Sequence, residues 1–283
     1  MDETSTVKTV LITGCSSGIG FCLAHGLRAA GYRVFATARK EKDITKLKEL
    51  GFDALLLDLA SSGSIKAAIS KLYQKTDSLY ALINNGAYGQ AGALEDISRE
   101  ALEKQFQVNV FGWHELTNLV LPSMKERNIG RVVYISSVLG FVAMPFRGPY
   151  VASKFAIEGL VDTLRLELKQ TKIKLSLVQP GPIESKFRQN AFLAFKENVD
   201  SSNSDYQREY KAMIERLNSD KNAQFTLAPE SVLRCVLHAL ESKAPKNHYR
   251  VTFPTKLFGI LCRILPSSWM DNILSRADKG DKD

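Results

Sequence analysis

The stretch Thr9-Val10-Leu11-Ile12-Thr13-Gly14-Cys15-Ser16-Ser17-Gly18-Ile19-Gly20 decides the fold. A short apolar run of the β type passes directly into a glycine-rich turn, and an amphipathic helix pattern follows. Glycines at these three places let the chain turn tightly, bring backbone N–H groups close to a pyrophosphate and pack a helix against a sheet. The helix N-terminus adds positive potential. The expected ligand is a dinucleotide, held by Gly14, Ser16, Ser17, Gly18, Ile19 and Gly20. The spacing is G-x-x-x-G-x-G and not the commoner G-x-G-x-x-G, so the turn has to be read together with what surrounds it.

Outward from this turn, strand-like apolar runs alternate with helix-length amphipathic segments. Strands are expected at Thr9 to Thr13, Arg33 to Ala38, Ala54 to Leu57, Tyr80 to Ile83, Arg131 to Ser136, Lys174 to Gln179 and Tyr249 to Phe253. The fold class is α/β: a Rossmann-type, doubly wound, parallel seven-stranded sheet with helices on both faces, as a single domain over residues 1–283. Leu102, Phe106, Val110, Trp113 and Thr117 form one helical stripe, and Ile157, Leu160, Leu164 and Leu168 another. Residues 184–228 break the alternation. Their aromatic content, with Phe187, Phe192, Phe195, Tyr206 and Tyr210, predicts short helices in a substrate-binding insertion at the carboxyl end of the strands. Residues 254–283 read as a helical extension.

The second strand ends at Ala38-Arg39-Lys40, where an acid would bind the ribose hydroxyl of NAD. No acid stands there, and Arg39 suits a 2′-phosphate, which favours NADP. Tyr150 and Lys154 are four residues apart, so in a helix both point to one face. An ammonium beside a phenol favours the phenolate, and the pair is expected to do proton-transfer chemistry. Ser137 ends the fifth strand at the ligand-binding edge and is placed to hydrogen-bond a substrate oxygen near Tyr150. Ser136 would point to the other side of the sheet.

Together with Asn84-Asn85-Gly86-Ala87, Asn109 and Pro180-Gly181-Pro182-Ile183, these residues resemble the short-chain dehydrogenase/reductase family. Within it the chain looks like bacterial NADP-dependent aldehyde and ketone reductases close to the retinol and 17-beta-hydroxysteroid dehydrogenase branch. The resemblance implies that Tyr150 is the catalytic acid/base. Lys154 would lower its pKa and hold the nicotinamide ribose, Ser137 would polarise a carbonyl, and Asn109 would help anchor a proton-relaying water. It also implies that Asp58 and Leu59 lie near the adenine and that Asn85, Gly86, Pro180, Gly181 and Ile183 border the cofactor. The order Gly86-Ala87 departs from the usual Ala-Gly, and only a local adjustment is expected from it.

The pocket walls expected from the sequence are Leu139, Phe146 and Phe187 around Ser137 and Tyr150, with Val138, Met144, Tyr88, Phe192 and Phe195 nearby. They favour an apolar carbonyl or alcohol as the small-molecule substrate. The resulting expectation is an NADP(H)-dependent oxidoreductase that reduces an apolar aldehyde or ketone. The rival is a non-catalytic dinucleotide-binding or redox-sensing module, against which the full set Asn109, Ser137, Tyr150 and Lys154 argues. A homo-oligomer is implied by the resemblance.

The formal net charge of +8, from 38 Lys plus Arg against 30 Asp plus Glu, comes without a basic cluster interleaved with aromatics. Nucleic acid is therefore not an expected partner. Cys15, Cys22, Cys235 and Cys262 show no C-x-x-C pair and the four His are far apart, so no metal and a reducing cytoplasm are expected. The acidic Met1-Asp2-Glu3 and the short run Val10 to Ile12 do not read as an export signal, and no apolar run is long enough to span a membrane. Leu257 to Leu274 is greasy and carries three readings: a cap on the pocket, a subunit contact, or a membrane-surface segment beside Lys256 and Arg263. Capping is the expected one.

Overall fold

Seven short strands, β1 Thr9–Ile12, β2 Arg33–Ala38, β3 Asp53–Leu56, β4 Ala81–Asn84, β5 Gly130–Ile135, β6 Ile173–Gln179 and β7 His248–Arg250, line up in the order 3-2-1-4-5-6-7, all parallel. The computed structural model describes residues 7–219 and 223–277. Eleven helices accompany the strands among these residues: α1 Gly18–Ala29, α2 Glu41–Glu49, α3 Ser62–Tyr73, α4 Arg99–Phe106, α5 Gly112–Glu126, α6 Gly148–Glu167, α7 Phe187–Asn198, α8 Gln207–Asn218, α9 Glu230–Glu241, α10 Phe253–Ile264 and α11 Ser267–Ala277.

Helices on both faces bury the strands twice over, which is why the strands read as unbroken apolar runs. Alternate residues serve the two cores. Val10, Ile12, Val34 and Ala36 pack on one face with Leu23 and Leu27 of α1 and Val236 of α9. Leu11, Phe35 and Leu82 pack on the other with Leu72 of α3, Trp113 of α5 and Ile157 of α6. The strand order reverses between β1 and β4, and the turns that follow these two strands meet at the switch point.

Three expectations change. The strand expected to reach Phe253 stops at Arg250, because Thr252 caps α10, accepting the Thr255 N–H, and Pro254 sits in its first turn. The stripe through Leu102 and Phe106 is shifted by one residue. A wider π-helical turn, Gln107–Phe111, separates α4 from α5, with the Gly112 N–H reaching five residues back to Gln107. The extra residue turns Ala101 and Gln105 inward and leaves Leu102 exposed. On α6, Tyr150, Lys154, Ile157 and Val161 take the inner face and leave Leu160 exposed.

The insertion forms α7 and α8, and its two ends are pinned together where Leu227 donates to Pro182 O at 3.1 Å and Glu184 donates to Leu227 O at 3.0 Å. No helix among the described residues is long and apolar enough to cross a membrane.

Candidate active site

The chain leaves β1 at Thr13 and turns at Gly14, whose φ of +72° is left-handed. A Cβ there would also stand 2.6 Å from the Gly86 Cα, so only glycine meets both demands. The turn after β4 closes on this one. The N–H groups of Asn85 and Gly86 each donate to the Thr13 hydroxyl at 2.8 Å. Asn85 Nδ2 donates to the carbonyls of Thr13 at 2.8 Å and Gly14 at 3.2 Å. Trp113, fully buried, donates its indole N–H to Gly86 O at 2.8 Å. The inverted Gly86-Ala87 order fits this contact, since a Cβ at position 86 would stand 3.3 Å from Gly14 N and 3.2 Å from Leu59 Cδ1.

Gly18, with φ +57°, opens α1, and a Cβ on Gly20 would meet Gly14 O at 2.2 Å. Ser17 precedes the helix in extended conformation, places no side-chain hydrogen bond on the first turn, and no acid stands there. Exposed Ser16 lies beside it. Free N–H groups at the positive end of a helix dipole, in a cradle that a Cβ would fill, fit the phosphates of a dinucleotide. Cys15 is buried within the turn, and burial pushes its thiol up to about 12, so it packs rather than reacts.

Ser137, Tyr150 and Lys154 come together at the carboxyl edge of β5. The Tyr150 phenol lies beside Ser137, whose Oγ accepts the Leu139 N–H at 3.1 Å. Ser136 points the other way, toward Gly140 and Glu158. Lys154 is 1% exposed; its Nζ donates to Ile135 O at 2.9 Å and lies 4.2 Å from the centre of the Trp113 ring.

The electrostatics differ from the sequence expectation. Burial pushes the Tyr150 phenol up to about 12, partly offset by Ser137. Burial likewise pulls Lys154 down to about 7, against the opposing pull of Glu158. Both groups share a dry site, and the ammonium spends a hydrogen bond on Ile135 O instead of the phenol. Tyr150 is therefore a protonated acid at neutral pH.

Asn109 stands in the π-helical turn. Its Oδ1 accepts the Tyr88 N–H at 3.2 Å, and its Nδ2 donates to Tyr88 O at 2.9 Å and Ser153 Oγ at 3.1 Å. Ser153 in turn donates to Tyr150 O at 2.8 Å. The side chain thus ties the loop after β4 to the helix that carries Tyr150. Gln105, which the sequence reading missed, works beside it: fully buried, it accepts from Gln90 N–H at 2.7 Å and donates to Tyr88 O at 2.9 Å. Nothing in a polar residue on an apolar stripe signalled this.

Arg39 is exposed just past the end of β2, near enough for its charge to act on the Tyr88 hydroxyl. Asp58 follows β3, its Oδ1 accepting the Ala60 N–H at 3.0 Å, and Leu59 is buried against Gly86 and Gly112. Pro180 O accepts the Val138 N–H at 2.8 Å, which ties the loop after β6 to Ser137. Gly181 admits Thr252, whose Oγ1 would lie 2.2 Å from a Cβ at that position, and Ile183 packs on the sheet.

Of the expected walls, Leu139 and Phe187 join Tyr150, the Phe187 ring centre lying 5.1 Å from that of Tyr150. Phe146 does not. With φ +59° it turns away and packs on Tyr206 and Tyr210, ring centres 5.5 and 6.1 Å apart, in a separate cluster under the insertion that also takes Phe195. In place of Phe146, Phe258, Leu261, Leu265, Met270 and Leu274 of the C-terminal segment close over Tyr150. Part of the segment from Leu257 to Leu274 thus packs in one cluster with Tyr150 of its own chain. No cluster of potential metal ligands exists among the described residues.

A family profile described as short chain dehydrogenase matches residues 8–194. The chain is 42% identical over 268 residues to the uncharacterized oxidoreductase YbbO of Escherichia coli, covering 94% of each. It is 31% identical over 275 residues to a 3-ketodihydrosphingosine reductase of Bacteroides thetaiotaomicron, covering 95% of this chain and 96% of that protein. The fold is similar to that of a short-chain dehydrogenase from Streptomyces avermitilis, with a TM-score of 0.75, 25% identity, and coverage of 92% and 94% of the two chains.

Proposed function

The chain belongs to the short-chain dehydrogenase family and is an oxidoreductase; from that premise we propose that it reduces an apolar aldehyde or ketone to the alcohol, reversibly, with NADPH. The observation that carries this reading is the buried Tyr150 phenol beside Ser137, with Lys154 on the same helix face, packed in an apolar cluster. NADPH, when bound, supplies the hydride. Gly14 to Gly20 would hold its phosphates, Arg39 the 2′-phosphate, Asp58 and Leu59 would border the adenine, and Lys154, Pro180, Gly181 and Ile183 the nicotinamide end.

Tyr150 gives its proton to the carbonyl oxygen, and Ser137 hydrogen-bonds the same oxygen as negative charge develops on it. A phenol that burial keeps protonated at neutral pH suits the reducing direction, where an acid is needed. Leu139, Phe187, Met270 and Leu274 exclude water and favour a bulky apolar substrate. A homo-oligomer fits the exposed apolar side chains Phe155, Leu160 and Leu166 on the outer face of α6 and Phe111 in the turn before α5.

The test is NADPH oxidation, followed by its near-ultraviolet absorbance, over a panel of aliphatic, aromatic, retinoid and steroid carbonyls, with NADH in parallel. Turnover is expected with NADPH, well above NADH, and highest with long apolar carbonyls. Binding of NADPH without turnover on the whole panel would overturn the reductase reading.

A further inference from the structure

The outward face of α10 carries Phe253, Leu257, Ile260 and Ile264, all exposed, spaced so that they form one apolar stripe along the helix. Phe253 and Ile264 are 60% and 71% exposed. The opposite face is already used: Thr255 and Gly259 are buried, and Phe258 and Leu261 pack in the cluster around Tyr150. The stripe is therefore a second apolar face on a helix whose inner contacts are complete. It continues onto Phe225, whose ring centre lies 5.5 Å from that of Phe253, and Trp269 and Ile273, one turn apart on α11, are exposed as well.

Beside the stripe lies a concavity of about 500 Å³ lined by Arg234, Lys246, Arg250 and Lys256 together with Leu227 and His248, and no acidic side chain lines it. Lys256 belongs to both features, and Arg263 flanks the stripe on the same side, one helical repeat further along. Between residues 253 and 275 the sole acid is Asp271. An exposed apolar stripe edged by cations on one side is the pattern of a helix that lies in the plane of a lipid–water interface.

We propose that this face docks on an anionic lipid bilayer, with Phe253, Leu257, Ile260 and Ile264 entering between the headgroups and the basic concavity facing lipid phosphates. The charge distribution favours this occupant over a second copy of the chain. Two copies packing this helix antiparallel about a two-fold axis would bring Lys256 and Arg263 of one to the same side of the seam as those of the other, with no acid in the concavity to meet them. The docking does not depend on the reaction proposed above.

The full chain is floated on density gradients with vesicles of phosphatidylcholine, with and without phosphatidylglycerol. Flotation is expected with the anionic vesicles alone and should weaken as salt is added. Ile260→Glu with Ile264→Glu should lower partitioning by about a hundredfold, and Arg234→Glu with Lys256→Glu by about tenfold. All four side chains are exposed and outside the site, so both variants should keep the wild-type melting temperature and dinucleotide affinity. If the isoleucine variant fails to fold, the charge-reversal variant carries the test. Absence of flotation with anionic vesicles, or flotation that neither variant lowers, overturns the proposal. A concentration-dependent dimer that Ile260→Glu with Ile264→Glu disperses, in protein that binds no vesicles, assigns the face to a second copy instead.

Discussion

The Lys154 ammonium lies 5.6 Å from the centre of the Tyr150 ring, yet it donates to the Ile135 carbonyl and not to the phenol. Spacing on one helix brought the two side chains to the same face, while the carbonyl at the end of β5 decided what the ammonium does there. Tyr150 thus rests as an acid.

Replacing Tyr150 by Phe removes that acid and little else, because the ring keeps its contact with Phe187. The rate of carbonyl reduction should fall by about a thousandfold or more, with dinucleotide affinity nearly unchanged. Stopped-flow reduction and a fluorescence titration of NADPH separate the two quantities. A Tyr150→Phe enzyme that still turns over removes Tyr150 from the chemistry.

Glu158 is one helical turn beyond Lys154 and opposes the burial that pulls the amine down to about 7. Its own carboxyl is pushed up to about 7 by burial, and Gln179 Nε2 donates to it at 2.8 Å. A base whose pKa is lowered gives up its proton at lower pH, and neutralising Glu158 takes away charge that favoured the ammonium. In Glu158→Gln, the alkaline limb of the kcat/KM profile should therefore move to lower pH, while activity well below pH 7 stays near wild type. A limb that stays in place, or moves up, contradicts a role for the Lys154 charge.

The turn at Gly14 leaves no room for a side chain. Gly14→Ala would strain a left-handed residue and press a Cβ on Gly86, at a cost of about 1–3 kcal/mol. It should lower the melting temperature and weaken NADPH at least about tenfold. Gly86→Ala meets side-chain and backbone atoms at 3.2 Å and beyond, with an ordinary φ, and should cost about 1 kcal/mol or less. Thermal melts of the two variants, with and without NADPH, rank them.

Arg39 has no acidic neighbour in sequence before Glu41 and is the residue proposed to meet a 2′-phosphate. Losing a charge-assisted pair costs about 1.5–3 kcal/mol, so Arg39→Asp should reduce kcat/KM for NADPH by about 10–100-fold and spare or improve NADH. The ratio of the two cofactors' kcat/KM is the measurement. An unchanged ratio makes Arg39 a surface cation and removes the argument for NADP.

These residues differ in how far the sequence disclosed them. Gly14, Gly18 and Gly20 are legible because backbone geometry restricts their positions to glycine, and Tyr150 with Lys154 because a helix fixes where residues four apart point. Ser137 follows from the end of a strand. Gln105 bonds the backbone of Gln90 and Tyr88, and Ser153 accepts from the distant Asn109 side chain, and no local pattern announces such partners. The π-helical turn at Asn109 is equally silent, since one extra residue in a turn shifts a stripe without altering its composition. Phe146 was misplaced because direction from a loop depends on its left-handed φ, not on its neighbours in sequence. Tyr150 is buried in one cluster with residues of α10 and α11, which the sequence places more than a hundred residues away.

Met270 tests that packing directly. It is 7% exposed and packs in the cluster that contains Tyr150, Leu139 and Leu274, with no part in the glycine turn. Truncation to Ala removes apolar contact at the edge of a small cluster and should cost about 2 kcal/mol of stability, the lower end for a buried Met. Its kinetic effect should depend on substrate size. A long or polycyclic carbonyl that uses the α11 wall should show KM raised about tenfold, whereas a small soluble aldehyde and NADPH should keep theirs. Equal loss on small and large substrates would mean that α11 holds the fold and leaves substrate choice to Leu139 and Phe187.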